Sequence, residues 1–451
     1  FTLESYGLFG EAYLELNDRL TLTGGLRYSN DKKFVRARSP LLSFPVPFGI
    51  TDANDSPFIG TYDADASKPG IQAFAEDSVS FDEITGRFVI DYELTPDSLV
   101  YASYSRGYKS GGINPPIDPI FNVPRAFGPE IINAFEIGAK NTFAGGVLRL
   151  NLSAFYYDYK DLQLSRIVAR TSVNDNTDAE IYGVEAEAIV RPAPELLINL
   201  GASWLKSKIK DLSLVDPRDV SGGRSDTVII KDLTNASNCA VQPTGPGGAA
   251  SSNAFVGAVN SALGLRPAVA VPGTNTTGAF SVCGILQAAA AGNIGAANPA
   301  LAPLQALLNF NFAGGVAGPL PFIVNDGVLV DVSGNELPNA PNVKFSAGAQ
   351  YTIRFGNGMT LVPRADLTYT GEQFSRSFNS SVDRIEGFEQ VNAQVQLNGV
   401  DDRWFVRAFV QNLFDSNAVT GKYVTDQSAG LFTNIFTLEP RRYGIAAGVT
   451  F

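Results

Sequence analysis

The last eleven residues, RRYGIAAGVTF (441–451), decide how the rest of the sequence is interpreted. Apolar or aromatic side chains occupy every second position of this stretch: Tyr443, Ile445, Ala447, Val449 and Phe451. Alternate side chains of a β-strand point to opposite faces, so the stretch predicts a strand with one apolar face and one small or polar face. Such a strand needs an apolar environment on one side only. That environment is either a protein core or a lipid bilayer.

The same alternation recurs in about thirteen segments, each about as long as the tilted strand of roughly ten residues that crosses a bilayer. In RLTLTGGLRYS (19–29), for example, leucines and Tyr28 alternate with arginine, threonine and serine. The second face collects charges, which are tolerated in a wet lumen but are costly against lipid. Its arginines, expected to pair with carboxylates of the lumen or of a plug, are Arg27, Arg87, Arg149, Arg364 and Arg407.

The connections between these segments alternate between short and long. The tight ones lie at 17–18, 95–97, 144–145, 192–194, 355–358 and 399–402, and the long ones at 37–78, 110–128, 168–178, 213–337, 377–386 and 416–440. In an antiparallel meander this sorting places all tight turns at one end. Transmembrane barrels have short periplasmic turns and long external loops, whereas a soluble sandwich has no reason to sort its loops. The sequence therefore predicts an all-β, antiparallel outer-membrane barrel.

The composition and the net charge of the chain exclude several classes of function. A net charge of −11 argues against nucleic acid as a partner. Histidine is absent, which excludes Ser-His-Asp and Cys-His catalysis and histidine-ligated haem or zinc. The carboxylates follow the inward spacing of polar strands rather than forming acid–base pairs. We expect no enzyme, no cofactor and no metal site, and no apolar run is long enough for a transmembrane helix.

Several stretches resemble the C-terminal part of TonB-dependent outer-membrane receptors. They are SLVYASYSRGYKSGGIN (98–114), PEIINAFEIGAKNTF (129–143), AEIYGVEAEAIVRP (179–192), FVQNLFD (409–415) and the terminal RRYGIAAGVTF. The resemblance implies a barrel of twenty-two strands in the outer membrane of a Gram-negative bacterium, an N-terminal plug inside it, and import powered by TonB. It covers nearly the whole chain except 37–78 and 213–337.

On this interpretation residues 1–451 are about the last thirteen strands of the barrel, and further strands are expected to precede Phe1. Neither plug nor TonB box is recognised in the sequence, so contact with the TonB complex through a plug rests on the resemblance alone. The terminal strand is similar to the signal read by the barrel-assembly machinery. Alternatively, Phe451 only closes the barrel seam within an aromatic girdle.

The long loop 213–337 is rich in Ala, Gly, Pro and Asn, with helix-like pieces at 254–265 and 301–310. We interpret it as an external lid or cargo contact, although a variable surface loop without a ligand role is the alternative. Cys239 and Cys283 are expected to form a disulfide that closes a loop of roughly 44 residues, rather than being two unrelated small residues.

The candidate ligand contacts lie where a strand rises into a long loop: Tyr104, Arg106, Tyr108 and Lys109. A structural role for this cluster is the alternative. The favoured function is a receptor that imports a scarce nutrient. A ferric siderophore is the favoured cargo, although cobalamin and an oligosaccharide fit these residues equally well. Its expected partners are this small-molecule cargo and a bilayer containing lipopolysaccharide. A passive diffusion porin and an adhesion or structural barrel remain as alternatives.

Overall fold

The computed structural model describes residues 1–37, 74–117, 120–121, 123–168, 171–232, 237–265, 279–297, 299–427 and 430–450. Within these residues thirteen strands form one continuous antiparallel sheet in chain order. They are β1 (Thr2–Asn17), β2 (Leu20–Ala37), β3 (Ala75–Thr95), β4 (Ser98–Lys109), β5 (Glu130–Phe143), β6 (Leu148–Val168), β7 (Thr171–Ala193), β8 (Leu196–Ile209), β9 (Val343–Tyr351), β10 (Thr360–Thr370), β11 (Phe388–Asn398), β12 (Trp404–Gln411) and β13 (Arg442–Val449). A two-residue piece, Ile353–Arg354, also pairs with β10. The predicted all-β architecture of about thirteen strands is confirmed.

The register of neighbouring strands sorts side chains onto two faces, because directly opposed residues share a face. Glu11, Gly25 and Arg87 lie opposite one another across β1, β2 and β3, and the Arg87 Nε donates to a Glu11 carboxylate oxygen at 2.7 Å. One residue further along β3, Phe88 opposes Tyr104, whose ring centroid lies 5.0 Å from that of Phe135. We call the charged face inward and the apolar face outward.

Two aromatic residues of β12 depart from the simple alternation by sharing the inward face with Arg407. Phe409 lies opposite Gly444 and Phe405 lies opposite Gly448 of β13. At both glycines a Cβ atom would overlap the opposing phenyl ring. The small residues of the last strand therefore make room for these inward rings, which explains why glycine alternates with apolar residues in the terminal stretch.

Between β8 and β9 lies the insertion, which occupies residues 210–342 and includes the predicted loop 213–337. It begins and ends with paired strands, Ser213–Val215 against Leu329–Asp331. Inside it a four-stranded sheet is formed by Ala279–Ser281, Val228–Asp232, Asn238–Pro243 and Phe322–Asn325. The helices are α1 (Gly248–Ala262), α2 (Cys283–Ala290), α3 (Ile294–Ala297) and α4 (Ala302–Phe312). Of the helices described, none has both the length and the apolar character needed to cross a membrane.

We call residues 228–325 the external subdomain, because they share a hydrophobic core of their own. Phe255 is fully buried and stacks on Phe322 with ring centroids 4.6 Å apart. The same core includes Val168 and Val173 from the tip of the β6–β7 hairpin. The external subdomain is thus packed directly onto the longest hairpin of the barrel wall.

Candidate ligand pocket at the external end

A cavity of about 310 Å³ lies where four external segments meet. One wall is the tip of the β6–β7 hairpin. The others come from the insertion, which contributes residues near both of its ends, and from two later loops. Its lining residues are 164–168, 175, 212, 214–215, 217, 326, 338–339, 375–378 and 422–427. Because these segments are far apart in the chain, the cavity forms only when the insertion is folded against the wall.

Three of the charged side chains that line the cavity are Arg166, Asp175 and Asp326. Arg166 Nε donates to the Asp175 carboxylate at 2.5 Å across the β6–β7 hairpin. Asp326 lies on the insertion side of the cavity, where burial raises the pKa of its carboxyl above the usual 3.8, partly opposed by the positive charge of Arg166. The site therefore combines an ion pair with a carboxyl group whose pKa is raised by burial.

Arg376 ties the insertion to the loop that follows β10. Its guanidinium bonds the carboxylate of Asp383 at 2.7 Å and that of Asp216 at 2.9 Å, and its Cζ lies 5.1 Å from the Phe378 ring centroid. Asp383 is fully buried. This three-member network, in which Asp383 is buried and the other two residues are partly buried, fixes one wall of the cavity.

The loop before β13 is held by hydrogen bonds that run to the two neighbouring segments. Lys422 Nζ donates to the carbonyl oxygens of Val382 and Arg384 at 3.0 and 2.6 Å. The Gln427 side-chain oxygen accepts from the Asn238 N–H at 2.6 Å, and the backbone carbonyl oxygen of Gln427 accepts from Lys231 Nζ at 3.0 Å. Within the described parts of the chain, the buried Ser375 hydroxyl on the cavity wall has no hydrogen-bond partner.

The four residues predicted as ligand contacts lie elsewhere, in a network between β2, β3, β4 and β5. The Tyr104 hydroxyl donates to Asn133 at 3.0 Å, and Arg106 bonds Glu83 at 2.7 Å. The Tyr108 hydroxyl donates to Asp31 at 2.9 Å, and Lys109 lies 3.5 Å from Glu130. The structure brings none of the four to the cavity described above. Tyr104 lies on the outward face beside Phe135.

The predicted inward arginines are distributed along the wall rather than clustered. Arg87 pairs with Glu11, Arg364 lies 2.5 Å from Asp366, and Arg27 Nε donates to the Ser29 hydroxyl at 2.9 Å. Arg149 lines a cleft of about 440 Å³ near the tight turns. In the described chain the Arg407 Nε is buried and has no hydrogen-bond partner.

The two cysteines are joined in the structure, with the sulfur atoms 1.97 Å apart. The bond links the strand Asn238–Pro243 to the start of α2, inside the core of the external subdomain. In the terminal strand Tyr443, Ile445 and Val449 are exposed on the outward face, and Ala447 lies between them. Phe451 lies outside the described residues.

Comparison with known proteins identifies the family. Residues 1–231 match the sequence model of the TonB dependent receptor-like beta-barrel, which is just over half of the chain. The chain belongs to this receptor family. It is a β-barrel protein of the Gram-negative outer membrane, as both the sorted loops and the resemblance predicted.

Curated relatives of the receptor chain include proteins named as pesticin and rhizobactin receptors. It is 28% identical over 205 residues to the pesticin receptor of Yersinia pestis, which is 45% of this chain and 25% of that protein. It is 25% identical over 222 residues to the rhizobactin receptor of Rhizobium meliloti strain 1021, which is 45% of this chain and 27% of that protein. The matched region thus spans about a quarter of these relatives.

Solved structures show the same fold along the whole receptor chain. The ferric yersiniabactin uptake receptor FyuA from Yersinia pestis superposes with a TM-score of 0.58 at 17% identity, covering 100% of this chain and 46% of that one. The closed form of the ferric-catecholate import receptor Fiu from E. coli K12 gives a TM-score of 0.54 at 14% identity, covering 100% and 45%. The chain spans about half the length of these receptors.

Proposed function

We propose that the protein acts as an outer-membrane receptor that imports an iron-bearing siderophore with energy supplied through TonB. The observation that carries the proposal is the external cavity, which the loops of a family barrel build from four separate segments. The names of the relatives, a rhizobactin receptor and a ferric yersiniabactin uptake receptor among them, support the choice of cargo class.

The cavity suits a small ligand with both apolar and polar groups. Its volume of about 310 Å³ is at the lower end of ligand pockets, which usually measure about 300–1,000 Å³. Leu212, Leu214 and Phe378 supply apolar surface, while the Ser375 hydroxyl and the Arg166–Asp175 pair supply hydrogen-bonding groups. In this proposal the ligand binds between the loops and then passes through the lumen when the plug of the complete protein moves.

The inward arginines are proposed to hold that plug. Arg407 is the strongest candidate, because its buried Nε lacks a partner within the described chain and an incoming carboxylate would satisfy it. The proposal includes no chemical transformation of the cargo. The residues first predicted as ligand contacts, Tyr104 to Lys109, are proposed to shape the wall beneath the loops.

The proposal is tested with the complete gene in a deletion strain grown under iron limitation. Uptake of iron-55 is measured from a panel of ferric siderophores, with and without TonB. We expect at least one siderophore to be taken up only when both the receptor and TonB are present. TonB-independent uptake of small solutes would instead identify a passive porin, and adhesion without uptake would identify a structural barrel.

The cavity itself is tested by the substitution Ser375→Leu, which fills it and removes the free hydroxyl. The matched control is Thr437→Leu, an exposed residue outside the cavity. We expect Ser375→Leu to weaken siderophore binding at least about tenfold, as loss of a hydrogen bond plus a steric clash would do. Equal binding by both variants would exclude this cavity as the receptor site.

A further inference from the structure

A groove of about 810 Å³ runs across β4 to β9 on the apolar face of the wall. Small residues form its floor, since Ala186 opposes Ala202 across β7 and β8, and Ala154 opposes Val184 across β6 and β7. The larger side chains of Ile137, Val184 and Trp204 rise around this floor. Because residues that oppose one another share a face, all six side chains point outward, away from the charged inward face.

Two lysines continue the same face of β8 beyond the groove, on the side of the large external insertion. Lys206 and Lys208 follow Trp204 at alternate positions and are exposed. A strand rises about 3.3 Å per residue, which places them roughly 7 and 13 Å beyond Trp204. Tyr182 lies opposite Lys206 and packs edge-on against Trp204, with ring centroids 6.0 Å apart. Tyrosine and tryptophan prefer the level of the lipid headgroups.

Carboxylates of the two preceding strands, β6 and β7, are engaged by other cations. Glu180 lies opposite Lys208 but is 3.6 Å from Lys210 Nζ, which also bonds Asp158 at 2.9 Å. Asp178 is 2.8 Å from Lys160 Nζ. In the described parts of the chain Lys206 and Lys208 form no ion pair, so neither ammonium group is paired directly with a carboxylate.

We propose that the groove and the lysine pair bind one phosphorylated lipid of the outer leaflet, with an acyl chain along the alanine floor and a phosphate on Lys206 and Lys208. The order of the features matches such a lipid from tail to headgroup: apolar groove, aromatic pair, then cations. Charge complementarity favours this occupant over a second copy of the chain, because two copies meeting here would bring lysines together.

The complete receptor, purified from outer membranes in mild detergent, is delipidated in steps and analysed by native mass spectrometry. The probes are lipid A bisphosphate, its fully dephosphorylated form and inorganic phosphate. The variants are Lys206→Gln with Lys208→Gln for the headgroup contact, and Ala202→Phe to fill the groove. Lys140→Gln on the inward face and Ala349→Phe on the outward face outside the groove are the matched controls. Heat-modified gel mobility verifies that each variant is folded.

We expect the wild type and both controls to retain one lipid A bisphosphate. The double lysine variant should retain at least about tenfold less, because each lysine near an anionic lipid contributes on the order of fivefold. The Ala202→Phe variant should lose retention of lipid A bisphosphate. The wild type should hold the dephosphorylated lipid as weakly as the lysine variant holds lipid A bisphosphate. Inorganic phosphate should not compete with the bound lipid. The proposal would be overturned if the wild type retained both lipids equally, or if the lysine variant retained as much lipid A bisphosphate as the wild type. Displacement of the lipid by inorganic phosphate would also overturn it. A dimer that is present in the wild type and absent in the Ala202→Phe variant would also overturn the proposal, because a second copy of the chain would then occupy the groove.

Discussion

Arg376 and Asp383 show how much the external end depends on single side chains. Asp383 is fully buried, and its two carboxylate oxygens accept from the Arg376 guanidinium at 2.7 and 3.1 Å. No periodic pattern surrounds these residues in the sequence, and the second partner, Asp216, is 160 positions away. The sequence could therefore predict a loop at 377–386 but not this network, because Asp216 reaches Arg376 only after the insertion has folded.

Substitution Arg376→Met tests the network. It leaves the buried Asp383 carboxylate without a counter-charge, so we expect the external region to lose about 3–5 kcal/mol of stability. Hydrogen exchange of peptides from residues 210–232 and 372–386 measures the loss. The control Arg384→Met removes an exposed pair with Glu372 and should cost less than about 1 kcal/mol. Similar exchange in the two variants would contradict the role given to Arg376.

Asp326 is expected to make stability depend on pH. Burial raises the pKa of its carboxyl in the folded receptor, so ionisation at neutral pH is unfavourable there, and this cost disappears as the pH falls through that raised pKa. Asp326→Asn should therefore raise the melting temperature at pH 7.5, with a smaller gain at pH 4.5. Detergent-solubilised protein and scanning calorimetry suffice for the comparison.

Asp331→Asn supplies a control of opposite sign. Hydrogen bonds from the Ser333 side chain and N–H lower the pKa of Asp331, so its carboxylate contributes stability at neutral pH that is lost as the pH falls through the lowered value. This substitution should lower the melting temperature at pH 7.5. A change of the same sign in both variants would refute the assignment.

At the scale of elements, strands were predictable and the insertion only partly so. Strands such as β8 carry a clear period of two, which in β8 runs from Ile198 to Trp204, because one face meets lipid and the other a wet lumen. In the insertion, the helix-like pieces predicted at 254–265 and 301–310 overlap α1 and α4, which end at Ala262 and Phe312. The four-stranded sheet escaped prediction because its strands of three to six residues are too short to show a period.

The link between Cys239 and Cys283 is expected to stabilise the external subdomain without affecting the wall. A loop of 44 residues corresponds to about 4 kcal/mol in the chain-entropy description. Replacing both cysteines by alanine should therefore expose residues 228–325 to protease at low concentration while the barrel keeps its heat-resistant gel mobility. Mass spectrometry of unreduced peptides establishes the bond. Two free thiols in the wild-type protein would rule it out.

At the scale of the whole molecule, the two faces of the wall determine where the protein resides. Leu200 and Asn199 are adjacent in the middle of β8 and point to opposite faces, outward and inward. The sequence predicted this division because charge is absent from one side of most strands. The positions of the external loops relative to one another could not be predicted, since they depend on packing between distant segments.

A pair of lysine substitutions tests the division directly. Leu200→Lys places a charge against hydrocarbon and should cost about 2–4 kcal/mol, whereas Asn199→Lys faces the wet lumen and should cost little. Urea titration of the complete protein in lipid bilayers, followed by tryptophan fluorescence, measures both. Equal destabilisation would mean that the outward face does not meet lipid.

The strands Ser213–Val215 and Leu329–Asp331 bring the two ends of the insertion side by side. The chain between them therefore leaves and rejoins the wall at one place, since paired Cα atoms of antiparallel strands lie about 5 Å apart. A different folded unit whose own termini are adjacent could be connected at that place without changing the register of the wall strands. We therefore expect the insertion to be replaceable by another folded unit while the strands of the wall keep their pairing.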